Sequence, residues 1–427
     1  MTTEPGSGPA PGRRSFLRGL AVGGGVVAGG AAGAAGGYAL RGGPDPAAAA
    51  NAATVEGRLP AVPFHGEHQA AITRTPQAAT AVVSFTATAR DRAALKDLFQ
   101  TVTDRARFLT AGGTPPPTGI TGPPSDSGML GPTVVPDGLT VTLGVGSTLF
   151  DDRYGLASAR PARLTPMKSF ANDDLDPSQT GGDLVLQCSA GHPDVVLHAL
   201  RDIANHTRGG MQASWRIEGF TNPPRPAGTV PRNHFGFMDG ISNPSVASAR
   251  DMNSLVWVRP GTAGEPAWTS GGSYLVVRLI RQLTEFWDRI DVYEQQDIIG
   301  RYRDSGYPLD ASSIDAVPDY AADATGDVIP MNAHMRLANP RTPESASSRI
   351  LRRSWNYNRG LDDSGNLDVG LLFTCYQQDI GRQFETVQNR LENEPMIDYI
   401  SPVGGGYFLA LPGVRNASDF YGGALFA

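Results

Sequence analysis

The strongest constraint on this chain is a pattern of strands and helices that occurs twice. Residues 80–88 alternate apolar with small or polar side chains, the period-two signature of a strand. Residues 92–109 then place Leu95, Leu98, Phe99, Val102 and Ala106 at helical spacing. Strand patterns follow at 139–145 and 183–189. Residues 193–208 read as a second helix, with Val196, Leu200 and Ile203 on one face. Pro193 stands near its start, where a missing N–H costs little. A strand at 211–220 closes the set. The second half repeats the order: strand 273–281, helix 283–300, strands 349–357 and 370–376, helix 380–391, strand 407–411. Each half is β-α-β-β-α-β, the ferredoxin-like unit. The expected fold class is α+β, with two ferredoxin-like halves around one shared interior.

Ahead of this pattern lies a segment of a different kind. Arg13-Arg14-Ser-Phe-Leu-Arg18 is a twin-arginine export signal, followed by a weakly apolar Gly/Ala run to about Leu40. That run is too rich in small residues for a convincing membrane span, although an uncleaved anchor is the competing reading. The stretch from about Pro44 to Leu59 reads as a linker, with several small-residue cleavage sites between Ala47 and Ala53. The expected divisions are 1–59 for leader and linker, 60–221 for the first half and 222–427 for the second. Export by the Tat translocon puts the mature protein outside the cytoplasm: extracellular, periplasmic or on the cell envelope. The Tat route carries folded proteins, which suits a chain that takes up a cofactor before export.

Composition narrows the function classes. At 427 residues the chain is long enough for two ordinary domains or one large one, and 40% hydrophobic content supports a sizeable core. A net charge of −6 argues against nucleic acid as the partner. Two cysteines, Cys188 and Cys375, exclude a disulfide scaffold, and both fall in strand-like runs where a small buried hydrophobe is expected. The connections 110–136 and 301–332 are long enough to serve function or packing.

The chemistry concentrates in three places. In Asn233-His-Phe-Gly-Phe-Met-Asp-Gly-Ile-Ser-Asn-Pro244 a lone Asp239 sits among Phe237, Met238 and Ile241, with glycines on both sides. Further on come His334-Met-Arg-Leu-Ala-Asn-Pro-Arg341 and then Arg352. There are seven histidines. His192 stands at a helix start, and His198 and His206 lie on a polar helix face, so these three read as surface residues. His65 and His68 have the spacing of a weak metal pair. From its surroundings alone His334 reads as a loop histidine satisfied by its neighbours.

Gly-Phe-Met-Asp-Gly (236–240) resembles the Gly-x-x-Asp-Gly signature of the dye-decolourising peroxidases. Thr180-Gly-Gly-Asp-Leu-Val-Leu-Gln187 and Gly404-Gly-Gly-Tyr-Phe-Leu-Ala-Leu-Pro412 look like two further blocks of that family. The resemblance runs from about His65 to the C-terminus and is strongest to the Tat-exported, iron-uptake-associated subgroup. It implies a dimeric α+β barrel-like fold with haem b (iron protoporphyrin IX) in the C-terminal half.

Residue by residue, the resemblance implies that His334 is the axial ligand of the haem iron. Glu394 stands where the family carries its proximal acid, with Glu392 and Asp398 as alternatives. Asp239 and Arg352 are the implied catalytic pair: the acid moves a proton between the peroxide oxygens, and the arginine stabilises negative charge on the departing one. Strand alternation turns the adjacent Arg353 the other way. Arg301 and Arg341 match positions near the haem propionates, with Arg336 less clearly so. Gly240, Ile241 and Ser242 line the cofactor edge, Asn339 and Pro340 belong to the ligand block, and Leu371 and Phe373 resemble the apolar distal wall. Ser354 departs from relatives that carry asparagine there.

The implied reaction uses hydrogen peroxide and a one-electron donor, a dye or phenol. Electrons for bulky donors would pass through aromatic residues; Trp355, Tyr357, Tyr376 and Trp215 are candidates. Iron release from haem is the rival activity, and a haem carrier without turnover is the rival class. The subgroup implies iron-uptake or copper-oxidase partner proteins. A homo-oligomer is a further expectation, while the physiological reductant and the cleavage site are not fixed by the sequence.

Overall fold

The computed structural model describes residues 57–262 and 264–427. The twin-arginine segment and most of the linker lie outside the described residues.

The first half comprises β1 (Ala79–Ala87), α1 (Arg92–Ala111), β2 (Thr140–Gly146), β3 (Leu184–Ala190), α2 (Pro193–His206) and β4 (Met211–Phe220). The start of α1 is set by Asp91, whose side chain accepts from the Ala94 N–H at 2.8 Å. Its apolar stripe of Leu95, Leu98, Phe99, Val102, Ala106 and Leu109 is buried. Each large side chain of that kind contributes roughly 1.5–3 kcal/mol when removed from water. The helix ends at Gly112, whose positive φ of 73° suits a residue without Cβ.

The second half runs β5 (Ser273–Gln282), α3 (Thr284–Trp287), α4 (Val292–Ile299), α5 (His334–Ala338), β6 (Leu351–Arg352), β7 (Trp355–Leu361), β8 (Leu367–Gln377), α6 (Thr386–Arg390) and β9 (Ile400–Ala410). The helix expected over 283–300 is two helices. The Asp291 side chain accepts from the Glu294 N–H at 2.9 Å and restarts the chain as α4, an N-cap inside an otherwise helical pattern. The helix expected over 380–391 begins as a wide turn, Gly381–Glu385, before α6. The strand expected over 349–357 keeps one register, Arg352 opposite Cys375 and Trp355 opposite Leu372, although its ladder is interrupted between β6 and β7.

The strand order is β5-β9-β2-β3-β1-β4-β7-β8, and β5 also pairs with β8, so the sheet closes on itself. Each half has the strand order of a ferredoxin-like unit. The halves join edge to edge through β2–β9 and through a single pair, Phe220 with Asn356, between β4 and β7. Closure leaves few free strand edges. The interior mixes both halves: Val82, Val185 and Ile217 pack with Leu275, Leu372 and Phe408. The two glycine blocks meet here. Thr180 bridges to Gly405; a Cβ on Gly404 would press on the Gln179 carbonyl across this contact, and one on Gly405 would collide with the Val277 carbonyl of β5.

Candidate active site

His334 opens the short helix α5. Its Nδ1 lies 2.6 Å from Glu394 Oε2, a carboxylate 3% exposed. That short contact is charge-assisted, and it fixes both the ring orientation and the nitrogen that carries the proton. Among the described residues Nε2 has no protein partner, so it is free to take a ligand. Of the three acids near 392–398, Glu394 makes the contact.

Asp239 and Arg352 come together from well-separated parts of the second half. Arg352 Nη1 is 3.0 Å from Asp239 Oδ1, and both side chains stay partly exposed. Their shared space is a cavity of about 190 Å³, lined by Asp239, Gly240, Asn243, Arg352, Ser354 and Leu371 among others. Gly240 sits at φ 92°, a conformation that costs a side-chain-bearing residue and turns the chain sharply after Asp239. Arg353 also borders this cavity but does not join the pair: its Nε donates to the Ile72 carbonyl at 3.2 Å and its Nη1 to the Arg352 carbonyl at 3.0 Å. Phe373 does not line this cavity; its ring packs 6.2 Å from Phe384.

A third group is cationic. Arg301, 7% exposed, donates to the Gly306 carbonyl at 2.7 Å and to Ser242 Oγ at 3.2 Å. Burial pushes its pKa down to about 10, with the charges of Arg352 and Arg341 pushing the same way. Burial also lowers Arg341, which stands at φ 60° in a turn held by Asn339 Oδ1. The buried Arg341 Nε and Tyr320 hydroxyl have no hydrogen-bond partner among the described residues. Burial pushes Tyr320 up to about 12. Cations and an O–H donor are thus gathered here, with Asp310 the acid whose charge reaches Arg301 and Tyr320.

Two family models match the chain, Dyp-type peroxidase C-terminal over residues 230–415 and Dyp-type peroxidase N-terminal over residues 69–221. The Deferrochelatase of Escherichia coli strain K12 is 49% identical over 367 residues, 85% of this chain and 86% of that protein.

The chain belongs to the Dyp-type peroxidase family.

Solved structures agree. A DyP-type peroxidase from Cellulomonas bogoriensis superposes with a TM-score of 0.77 at 33% identity, covering 86% of this chain and 98% of that one. An oxyferrous complex of DtpA from Streptomyces lividans gives 0.77 at 32% identity, covering 86% and 98%. This Dyp-type peroxidase is a haem-dependent oxidoreductase that uses hydrogen peroxide and an electron donor.

Within it, the remaining sequence candidates find their places. Ser242 bonds Arg301, and Ile241 packs toward Gly306. Asn339 also accepts from Ser345 Oγ at 3.1 Å, so its side chain shapes the turn beside Pro340 and Arg341. Arg336 is turned away into the 301–332 connection, donating to Asp323 Oδ2 at 3.0 Å and to the Ile329 carbonyl at 2.8 Å. Trp215, Trp355, Tyr357 and Tyr376 all belong to the barrel interior. His198 is a correction: it is 1% exposed and lies 2.7 Å from Asp126 of the 110–136 connection, not on the surface. His68 stacks on Trp257 at 3.7 Å, an aromatic contact in place of a metal pair with His65.

Sequence reasoning missed Asn243 and Tyr320. Asn243 was in plain view inside the 233–244 segment, where asparagine passes as a turn former. Tyr320 sits in a long connection with no pattern to mark it.

Proposed function

We propose that this enzyme reduces hydrogen peroxide at a haem b held by His334, using Asp239 and Arg352 as its peroxide-cleaving pair. The observation that carries this reading is the 3.0 Å Asp239–Arg352 ion pair on a solvent-connected cavity.

The residues present fit the cofactor. His334 Nε2 would ligate the iron, and Glu394 would hold the ring and keep it electron-rich. Arg301, Arg341 and the Tyr320 hydroxyl would take the propionates, which would give the buried Arg341 Nε and Tyr320 hydroxyl the acceptors they lack among the described residues. Leu371, Gly240 and Ile241 would meet the apolar edge and face. Bound haem supplies the metal centre that accepts two oxidising equivalents and passes them on singly.

The protein's own part is proton and charge management. Asp239 Oδ1 is occupied by Arg352, so Oδ2 is the atom left to take the peroxide proton and return it to the far oxygen. Arg352 stabilises the negative charge that develops as the O–O bond breaks. Over a full cycle hydrogen peroxide gains two electrons and two protons and becomes two waters. The electrons come from two donor molecules, dyes or phenols.

A second reading has one observation behind it, the 49% identity to a protein called Deferrochelatase. Under that reading the same pocket would release iron and leave the porphyrin intact. The test is a haem titration followed by one equivalent of peroxide with a phenolic donor, with porphyrin fluorescence read in parallel. Donor oxidation without iron-free porphyrin supports the peroxidase; iron-free porphyrin without donor oxidation supports release. The leader adds a proposal about place: export through the Tat translocon, to the cell envelope or beyond, where iron-uptake proteins would be partners.

A further inference from the structure

We propose that Asn243 is the positioning residue that sets Arg352, and so the Asp239–Arg352 pair, in the geometry needed for peroxide cleavage. The inference rests on the functional reading above.

Arg352 lies on β6, a strand of two residues. One side of β6 pairs with β8, Leu351 opposite Tyr376 and Arg352 opposite Cys375. The next residue, Arg353, donates its N–H to the Thr374 carbonyl at 2.8 Å. Backbone direction alternates along a strand, so the N–H and C=O of Arg352 point away from β8. Among the described residues no strand lies on that side. The Asn243 side chain occupies it: Oδ1 accepts from the Arg352 N–H at 2.9 Å, and Nδ2 donates to the Arg352 carbonyl at 3.0 Å. A side-chain amide thereby stands in for a missing strand: it is the partner of the arginine's N–H, and it shares the carbonyl with Arg353 Nη1, which donates to it at 3.0 Å.

The same amide ties two parts of the site together. Asn243 follows Asp239 by four positions in one loop. The near end of that loop is pinned independently. The Asp239 N–H donates to the Pro231 carbonyl at 3.1 Å, and Arg232 donates to the carbonyls of Gly236 at 2.8 Å and Asp304 at 2.6 Å. Asn243 pins the far end, directly on the main chain of Arg352. Ordinary turn-forming asparagines bond their own neighbours. This one spends both ends of its amide on a residue 109 positions away. A carboxylate cannot reproduce the fork, because it has no donor for the carbonyl.

The test uses the full-length protein with Asn243→Ala, Asn243→Asp, Arg352→Leu and the double change Asn243→Ala/Arg352→Leu. In haem-free protein, amide exchange at Arg352 should quicken by about tenfold or more in Asn243→Ala, which loses the acceptor for that N–H, and stay close to wild type in Asn243→Asp, which keeps it and loses only the donor to the carbonyl. At matched haem loading, the rate of reaction with peroxide should fall roughly 10- to 100-fold in Asn243→Ala. Adding that change to Arg352→Leu should cost nothing further, because Asn243 acts through the arginine. If Asn243→Ala fails to take up haem, Asn243→Asp carries the same comparison. A normal rate in the Asn243 variants beside a slow Arg352→Leu would overturn the inference alone. So would a loss that multiplies in the double variant. A normal rate in Arg352→Leu itself would overturn the functional reading beneath it.

Discussion

Arg301 offers a prediction whose sign is unusual. A buried cation normally stabilises through its partner, but the hydrogen-bond partners of Arg301 are neutral, and burial together with the charges of Arg352 and Arg341 outweighs the opposing charge of Asp310. Its fall to about 10 from an ordinary value of ~12.5 corresponds to roughly 3 kcal/mol of penalty on the charged form, at about 1.4 kcal/mol per pH unit. Below about pH 10 both the folded and unfolded states carry the proton, and the whole penalty is present. Between that point and the ordinary value the unfolded chain binds more protons, so stability rises with pH there. Opposing the penalty are the two hydrogen bonds to Gly306 and Ser242, worth about 1.5–3 kcal/mol each for a charged donor. Arg301→Met should therefore change the stability of haem-free protein by no more than about 3 kcal/mol. Haem affinity should behave differently. Loss of one charge-assisted pair with a propionate, about 2–3 kcal/mol, weakens binding roughly 30- to 150-fold. Urea denaturation of haem-free protein and a haem titration by absorbance measure the two effects. A large loss of stability with unchanged haem affinity would refute the argument and make Arg301 a clamp for the 301–306 turn.

His334→Ala should abolish haem retention or leave a weakly held haem with a shifted Soret band; full loading with an unchanged band would remove His334 as the ligand. Glu394→Gln keeps the shape of the 2.6 Å contact but loses its charge, so haem should stay bound while its reduction potential rises, as a spectroelectrochemical titration would show. An unchanged potential would mean that Glu394 only orients the ring. Replacing Arg13 and Arg14 with lysine should hold the protein in the cytoplasm, which fractionation and immunoblotting can follow; normal export of that variant would point to another route.

Strands such as β2 and β3 are buried along their whole length and were legible as short apolar runs, whereas β4 buries alternate positions toward one end. On β4, Trp215 and Ile217 are buried while Arg216 and Glu218 are exposed. The break between α3 and α4 was hidden because Leu283, Phe286 and Trp287 continue a helical stripe that the fold does not bury uniformly: Phe286 is 51% exposed and Trp287 only 1%. Asp291 was the one local sign of the break. Asp239, His334, Glu394 and Arg352 were readable only through resemblance, since nothing local separates a catalytic acid on a glycine turn from an ordinary turn residue. Contacts made across long separations left no trace at all. The burial of His198 depends on Asp126, 72 positions earlier, and the role of Asn243 depends on Arg352, 109 positions later. The glycine blocks at 180–183 and 404–406 resembled the family without saying why, and for Gly182, Gly404 and Gly405 the reason is steric: a Cβ would run into Ser84, Gln179 and Val277 respectively.

The central claim is that Asp239 and Arg352 together cleave peroxide. Its most direct test is stopped-flow mixing of haem-loaded wild type, Asp239→Ala and Arg352→Leu with one equivalent of hydrogen peroxide, following decay of the resting Soret band. Both variants should bind haem and react more slowly than wild type. Arg352→Leu should be at least as slow as Asp239→Ala, because water can relay a proton in place of the acid but cannot replace the arginine's positive charge. Wild-type rates in both variants would contradict the account and make the pair a structural one.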